Sequence, residues 1–228
     1  MSLSVNSYKK IDKFFKNFSK FDIAQNYGLF TGDRKLYKTV KILEFINQTK
    51  NIKGDIIEFG TWNGNTGILI SKYLKLFGIK KQIYLFDHFQ GLKHFSNKDK
   101  KSSKIYNFYK GNKDRIIGLK KFFGLNNLNI IDANALDLHN DYFKKFKFSL
   151  VICDMDLYLP TIKALNSVNN SVTKNGLIVF DEGNMDKWIG EKKALKEFFK
   201  KNKNSYSKKI ISKKNFQPDV ILKKNKPC

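Results

Sequence analysis

Seven carboxylates stand where apolar runs of the sequence stop: Glu58, Asp87, Asp132, Asp154 with Asp156, and Asp181 with Glu182. Read as buried strands, those runs would carry acid to one rim at five strand ends. One Asp at a strand end only initiates a turn or caps a helix. Seven brought together repel one another, which is costly unless a cation or a polyol hydroxyl sits among them. Carboxylates in such a group suit Mg²⁺, which takes a few of them and completes its shell with water and substrate oxygens. Asp154 and Asp181 are 27 residues apart, room for a crossover helix and a strand. Their strands should therefore be neighbours in a parallel sheet.

The second chemical feature is the run Glu58-Phe-Gly-Thr-Trp-Asn-Gly-Asn-Thr-Gly67, directly after the first apolar run. Gly60 and Gly64 allow backbone to approach a ligand closely where a helix begins. The spacing is neither the dinucleotide fingerprint nor a P-loop, because no Lys-Ser/Thr pair follows the glycines. Asp87 ends the next strand, 29 residues after Glu58, where a carboxylate holds ribose hydroxyls in doubly wound sheets.

The elements that must position these residues alternate. Strands are expected at 55–59, 82–86, 128–131, 148–152 and 176–180, with helices at 36–46, 67–77, 112–123, 160–170 and 191–201 between and beside them. A strand pair at 208–212 and 219–223 closes the chain. This alternation implies an α/β fold, a mostly parallel seven-stranded sheet with helices on both faces and an antiparallel C-terminal pair. Ligands of such sheets sit at the carboxyl ends of the strands. Ahead of the alternation, Phe14, Phe15, Phe18, Phe21, Tyr27 and Phe30 suit an amphipathic helix or two whose apolar stripe must be covered.

Four segments together carry a resemblance. Ile56-Ile-Glu-Phe-Gly-Thr-Trp-Asn-Gly-Asn65, Leu85-Phe-Asp-His-Phe-Gln-Gly-Leu92, Asp154-Met-Asp-Leu-Tyr158 and Asn175-Gly-Leu-Ile-Val-Phe-Asp-Glu182 resemble the macrocin O-methyltransferase family. Its members are S-adenosylmethionine-dependent, metal-assisted sugar O-methyltransferases. The resemblance spans roughly residues 36–200, and its first and last segments are also similar to catechol O-methyltransferase. It implies a Rossmann-like class I methyltransferase over residues 51–228, with 1–50 as a helical extension that contributes an acceptor lid or an oligomer contact. It also implies that Gly60 and its flanking turn (Glu58, Thr61, Trp62, Gly64, Asn65, Thr66) cradle the methionine part of the cofactor. Asp87, with His88 beside it, would bind the ribose, and Asp132 with Ala133 would lie near the adenine. Asp154 would face both cofactor and metal, and Asp154, Asp181 and Glu182 match the positions that hold the divalent ion.

Two departures are visible. Glu182-Gly183 stands where the family has Asp-Tyr, and Leu157 stands where catechol O-methyltransferase has a Lys. The base is therefore sought among Asp154, Asp156, His88, His94 and His139, and Asp156 is either a metal ligand or a neighbour of one.

Composition narrows the partners. The 228 residues carry a net charge of +24, but only Arg34 and Arg115 among the 44 basic residues are Arg. Base and phosphate recognition favours Arg for its bidentate geometry. The Lys excess is spread along the chain, so a nucleic-acid partner is not expected and a small-molecule or glycan acceptor is. No apolar run reaches the ~18 residues that span a bilayer, and residues 1–20 lack the apolar core of a signal peptide. Two cysteines, Cys153 and Cys228, give no disulfide framework. The expectation is a cytoplasmic homo-oligomer. The rival readings are an RNA methyltransferase on the same fold, drawing on the Lys excess, and a non-catalytic binding protein on a methyltransferase scaffold.

Overall fold

The computed structural model describes residues 33–100, 109–212 and 216–226. The aromatic stripe from Phe14 to Phe30 lies outside the described residues. The chain divides into two compact units, Met1–Tyr37 and Lys38–Cys228, and the second holds the sheet.

The described elements are α1 (Asp33–Thr49), β1 (Asp55–Phe59), α2 (Asn65–Leu76), β2 (Ile83–Asp87), α3 (Lys113–Phe123), β3 (Leu128–Asp132), β4 (Phe148–Cys153), α4 (Tyr158–Val168), β5 (Val172–Phe180), α5 (Ile189–Asn202), β6 (Tyr206–Ile210) and β7 (Val220–Lys224). A 3-10 turn, Ala135–Asp137, follows β3, with the Asn134 side chain accepting from the Leu136 amide. The sheet runs β3-β2-β1-β4-β5-β7-β6. All pairs from β3 to β5 are parallel, and β7 is antiparallel to both of its neighbours. From β1 the chain first builds outward through β2 to β3, then returns to place β4 on the other side of β1. That reversal opens a crevice at the β1 and β4 ends, where ligands of doubly wound sheets bind.

The strand sequences show why the sheet is covered twice. In β1, Ile56 faces one apolar layer while Ile57 and Phe59 face the other; in β4, Leu150 and Ile152 oppose Val151 and Cys153. Period-two alternation with both faces apolar belongs to a strand buried on both sides. One layer takes Ile42, Phe45 and Ile46 of α1, Ile70 and Leu74 of α2, and Ile116 of α3. The other takes Ile162 and Leu165 of α4 and Leu195 and Phe198 of α5.

All seven expected strands are present, with bounds that move by a few residues. β5 starts at Val172 rather than 176, because the polar Thr173-Lys174-Asn175 insert hides its beginning from a hydrophobicity pattern. Asn175 sits at φ 65° there, and the β4–β5 register shifts between Phe148 and Leu150. Helix α4 starts at Tyr158, two residues before Pro160; a proline in the first turn displaces no intrahelical donor. No helix among the described residues is long and apolar enough to cross a membrane.

Phe143, between β3 and β4, is fully buried and lies edge-on to Phe59, Phe86 and Phe148 at centroid distances of 5.9, 6.3 and 5.6 Å. It plugs the layer below the ends of β1 and β2. Phe143→Ala should lower unfolding free energy by about 3–5 kcal/mol in urea titration, since a cavity replaces a well-packed ring. A loss under about 1 kcal/mol would mean that the surrounding rings close over the gap.

Candidate functional site

The turn after β1 is held by hydrogen bonds on three sides. Gly60 N–H donates to the Phe86 carbonyl (3.0 Å), Gly64 N–H to the Thr61 carbonyl (2.7 Å), and Thr61 Oγ1 to Glu58 Oε2 (2.7 Å). Gly60 has φ 81°, and a Cβ on it would lie 1.8 Å from the Asp154 carbonyl oxygen. Only glycine permits both that backbone and that contact. The β1 turn is thus pressed directly onto the segment that carries Asp154.

Asp87 completes the turn. Its Oδ2 accepts from Trp62 N–H at 2.8 Å and its Oδ1 from Phe89 N–H at 2.7 Å. Burial raises the Asp87 carboxyl above its ordinary value, and these two amides pull it back down. The carboxylate therefore fastens the turn, and it stands at the crevice rim, the place that the sequence assigns to the ribose. Asn65 and Thr66 open helix α2 behind Gly64. Asp132, in register with Asp87, is exposed and paired with Lys113 at 2.8 Å, with Ala133 next to it. His88 and His94 stand edge-on at 6.1 Å, and His94 Nε2 lies 3.2 Å from Asn134 Nδ2. Burial, then His88, lowers the His94 imidazole. His139 is exposed against Tyr142, away from these residues.

The second half of the site is acidic. Asp154, Asp156 and Glu182 bring one carboxylate oxygen each to within 4.8 Å of one another. Asp154 follows β4, and Glu182 follows β5, its parallel neighbour. Asp156 adopts φ 61°, a left-handed conformation that Asp tolerates better than most residues. Glu182 Oε1 accepts from the Gln217 side chain, while its Oε2 is buried without a partner; the same holds for Asp181 Oδ1. Burial raises the carboxyls of Asp156 and Glu182 well above their ordinary values, and the neighbouring carboxylates add to it. Asp181 is pushed up to about 7 by burial and by Asp154.

Such a group fits a divalent cation. Its donors are hard oxygens, one buried oxygen has no partner, and the negative charges lack sufficient compensation.

Two side chains at this rim are not apparent as contributors from the sequence. Lys38 donates to Asp154 Oδ2 at 2.8 Å and to Asp181 Oδ2 at 2.7 Å. Burial works to lower the Lys38 ammonium, but Asp154 and Asp181 outweigh it and hold the ammonium well above its usual range. One signal does mark it. Lys38, Ile42, Phe45, Ile46 and Thr49 share the i, i+4, i+7, i+8, i+11 stripe of α1, so a half-buried charge continues the stripe that packs on the core. The second is Glu191, fully buried at the start of α5. Its Oε2 accepts from the amides of Met155 and Asp156 (3.2 and 3.3 Å) and its Oε1 from the Glu182 amide (3.0 Å). One carboxylate thus clamps the two loops that carry the acidic group.

An aromatic row borders both halves. Trp62 stands edge-on to Tyr109 at 5.6 Å, and Tyr109 lies 6.3 Å from Trp188. Burial raises the Tyr109 phenol, and Asp156, Glu182 and Asp154 push it further, so its hydroxyl senses the acidic group.

Comparison with known proteins gives the family and the fold. The family model for macrocin O-methyltransferase (TylF) matches residues 17–212. No curated protein matches the chain. Among solved structures, the calicheamicin methyltransferase CalS11 superposes with a TM-score of 0.78 at 17% identity, over 97% of this chain and 93% of that one. An apo structure of CalS11, described as a TDP-rhamnose 3'-O-methyltransferase, gives 0.69 at 17% identity over 97% and 95%. The O-methyltransferase NovP gives 0.66 at 16% identity over 86% and 81%. At these identities the likeness establishes the shared fold.

Two outcomes follow from the β1 turn. Gly60→Ala should cost at least about 3 kcal/mol or prevent folding, because backbone meets backbone and the left-handed φ is strained; near-native stability in chemical denaturation would contradict the packing. The second concerns Glu58, whose carboxyl burial pushes up to about 8, with the Thr61 hydroxyl opposing. The folded chain keeps this proton where the unfolded chain, at an ordinary 4.5, has released it. Stability should therefore fall as pH rises from 4.5 to about 8 and level off above that. Glu58→Gln, compared by urea unfolding in EDTA over that window, should lose this part of the decline. An identical pH slope would show that Glu58 is already ionised in the fold.

Proposed function

The chain belongs to the macrocin O-methyltransferase family, and from that premise we propose that it methylates a sugar hydroxyl of a glycoside, glycan precursor or related small molecule. S-adenosylmethionine is the methyl donor, and a divalent ion, Mg²⁺ by its ligand chemistry, assists at the acidic group. The observation that carries this reading is the direct abutment of the Gly60 turn on Asp154 at the β1/β4 crevice. In this reading it would set the turn that receives the donor beside the carboxylate group, as methyl transfer from sulfur to an oriented hydroxyl requires. The sugar acceptor is further supported by the acceptor named for CalS11.

In this reading the Gly60 turn receives the methionine part of the donor, Asp87 takes the ribose, and the Asp132–Ala133 edge borders the adenine. Asp154, Asp156 and Glu182 would hold the ion. A divalent cation there supplies positive charge that favours ionisation of a nearby hydroxyl. Asp156, in its ionised form, would take the proton. The acceptor oxygen then attacks the methyl carbon in line and the sulfur leaves. Tyr109 and Trp188 border the acceptor side, where aromatic rings offer a flat apolar wall to a sugar face. The reading includes a cytoplasmic homo-oligomer with an N-terminal extension over 1–50 and no nucleic-acid partner, in keeping with the scarcity of Arg. Within that extension the described residues begin only at α1.

The test pairs calorimetry with turnover. S-adenosylmethionine should bind without metal, and Asp87→Ala should weaken it by about 1–3 kcal/mol. Methylation of sugar nucleotides and glycosides should need Mg²⁺, be abolished by Asp154→Asn, and show a raised acceptor KM with unchanged donor affinity in Tyr109→Ala. Full turnover in excess EDTA would refute the metal role. Methylation of RNA in preference to every sugar acceptor would refute the acceptor class.

A further inference from the structure

Among the described residues, three large apolar side chains are more than half exposed: Leu76 at 77%, Phe77 at 60% and Phe122 at 80%. They stand on two adjoining helix ends, the C-terminus of α2 and that of α3. Lys75, next to Leu76, reaches across to the carbonyls of Phe123 and Gly124 at 3.1 and 3.2 Å, and Lys72 lies 4.0 Å from the centre of the Phe123 ring. Single exposed apolar residues are ordinary on a protein surface, but neighbours exposed to this extent mark an interaction site. Leu74, Phe123 and Leu125 from the same two ends join the core, so these three are surplus to it. The charge around them has one sign. Lys72, Lys75, Lys80 and Lys121 are exposed, and no Asp or Glu occurs between Thr66 and Phe86 or between Arg115 and Ile131. Asp55, which opens β1 at the same edge of the sheet, accepts from the Gln82 amide at 2.9 Å. Lys75 also covers the carbonyls that end α3, so this helix end presents an ammonium where its dipole is negative.

Apolar side chains within a ring of ammonium groups match the surface of an anionic bilayer. Leu and Phe enter the boundary between headgroups and acyl chains, while Lys stems lie along it with their charges in water. Anionic headgroups present a diffuse field that calls for charge and not for the fork of Arg, and Lys supplies it. A second copy of the chain is a poorer occupant, because a two-fold contact through this patch would set its lysines against themselves. Orientation fits as well. Strands β1, β2 and β3 are parallel and α2 and α3 connect them, so both helices run back and end at the edge where the strands begin. The crevice lies at the other edge. We propose that the C-terminal ends of α2 and α3 dock the protein on an anionic lipid surface, with Leu76, Phe77 and Phe122 inserted and the crevice turned away from the lipid. No described helix is long and apolar enough to cross a membrane, so these helix ends attach peripherally. The proposal goes beyond the methyl-transfer reading and does not depend on it.

Co-sedimentation of the full chain with vesicles at about 0.15 M salt tests it, with circular dichroism on every variant. The parent should bind vesicles of mixed phosphatidylglycerol and phosphatidylcholine and should not bind phosphatidylcholine alone. Leu76→Ser/Phe77→Ser/Phe122→Ser should weaken binding by about ten-fold or more. Lys72→Gln/Lys80→Gln/Lys121→Gln should do the same, by about ten-fold. Lys203→Gln/Lys208→Gln/Lys209→Gln removes an equal charge on and beside β6, at the opposite side of the sheet, and should stay within about three-fold of the parent. Should the apolar triple variant fail to fold, Phe122→Ser alone, at the most exposed of the three positions, carries the comparison.

The proposal is overturned if the parent leaves the anionic vesicles unbound, or if the apolar variant binds them as the parent does. It is likewise overturned if the β6 variant loses as much as the α2/α3 lysine variant, since the attraction is then that of net charge alone. A dimer in light scattering that the apolar variant abolishes, or patch-dependent binding of an RNA oligonucleotide or polyglutamate without vesicle binding, assigns the patch to another partner and overturns the lipid one. A parent that binds vesicles but not S-adenosylmethionine overturns the methyl-transfer reading and leaves this proposal standing.

Discussion

Repulsion among carboxylates gathered at one rim is the constraint that the site's architecture answers. A parallel sheet sends the ends of β1, β4 and β5 to the same edge, and each ends in or beside an acid. Burial makes matters worse, because little solvent screens Asp156, Asp181 and Glu182. The chain offers three kinds of compensation. An ammonium from α1 sits between Asp154 and Asp181. Burial pushes the carboxyls of Asp156, Glu182 and Glu58 above their ordinary values, towards the neutral form. The remaining imbalance is what a divalent cation can relieve. Stability given up at this edge is recovered in the two apolar layers beneath it, as is usual where a fold carries a functional site.

Glu191 shows how such a rim is kept in order. It adds another buried acid to a group of acids, so its place cannot be explained by counter-charge. Its gain is geometric: three amides from two loops converge on its two oxygens. The left-handed turn at Asp156 and the sharp turn after Phe180 are thereby tied to one point on α5. Gly190 permits the approach, because a Cβ there would lie 2.6 Å from the Tyr158 amide. Rigid support of this kind sets where the ligands of an ion can point, which the ligand residues alone do not determine.

How much of this is legible in the sequence follows from the kind of signal each residue leaves. The strands can be read because both faces of β1, β4 and β5 are apolar, and the acids at their ends stand out against those runs. The pairing of Asp154 with Asp181 and Glu182 on adjacent strands follows from a spacing that admits one crossover. Asp181's partner does not. Lys38 is one of 42 lysines, and composition hides it completely. Only its position on the buried stripe of α1 sets it apart, and the apolar spacing of that helix includes Leu36, Val40 and Leu43 as much as Ile42, Phe45 and Ile46. In the fold Leu36 and Val40 are each 44% exposed, so spacing alone blurs the helix face and conceals the lysine on the true one. Glu191 is hidden for another reason. Its role depends on amides of residues 155, 156 and 182, and no residue-type pattern reports a backbone partner far away in the chain.

The same logic explains why the two halves of the site act as one. Gly60 leaves no space between the β1 turn and the Asp154 carbonyl, and Asp87 binds the Trp62 amide of that turn. Trp62 in turn leads through Tyr109 to Trp188, which lies beyond the loop after β5. A displacement of the turn would therefore be felt at Asp154 through backbone contact and at Trp188 through ring contacts. Close packing transmits such shifts because there is no void to absorb them. Under the proposed function, a donor at the turn and an acceptor against the rings would thus be positioned by one connected set of contacts. Methyl transfer, which depends on alignment of three atoms, needs that connection more than it needs any single side chain.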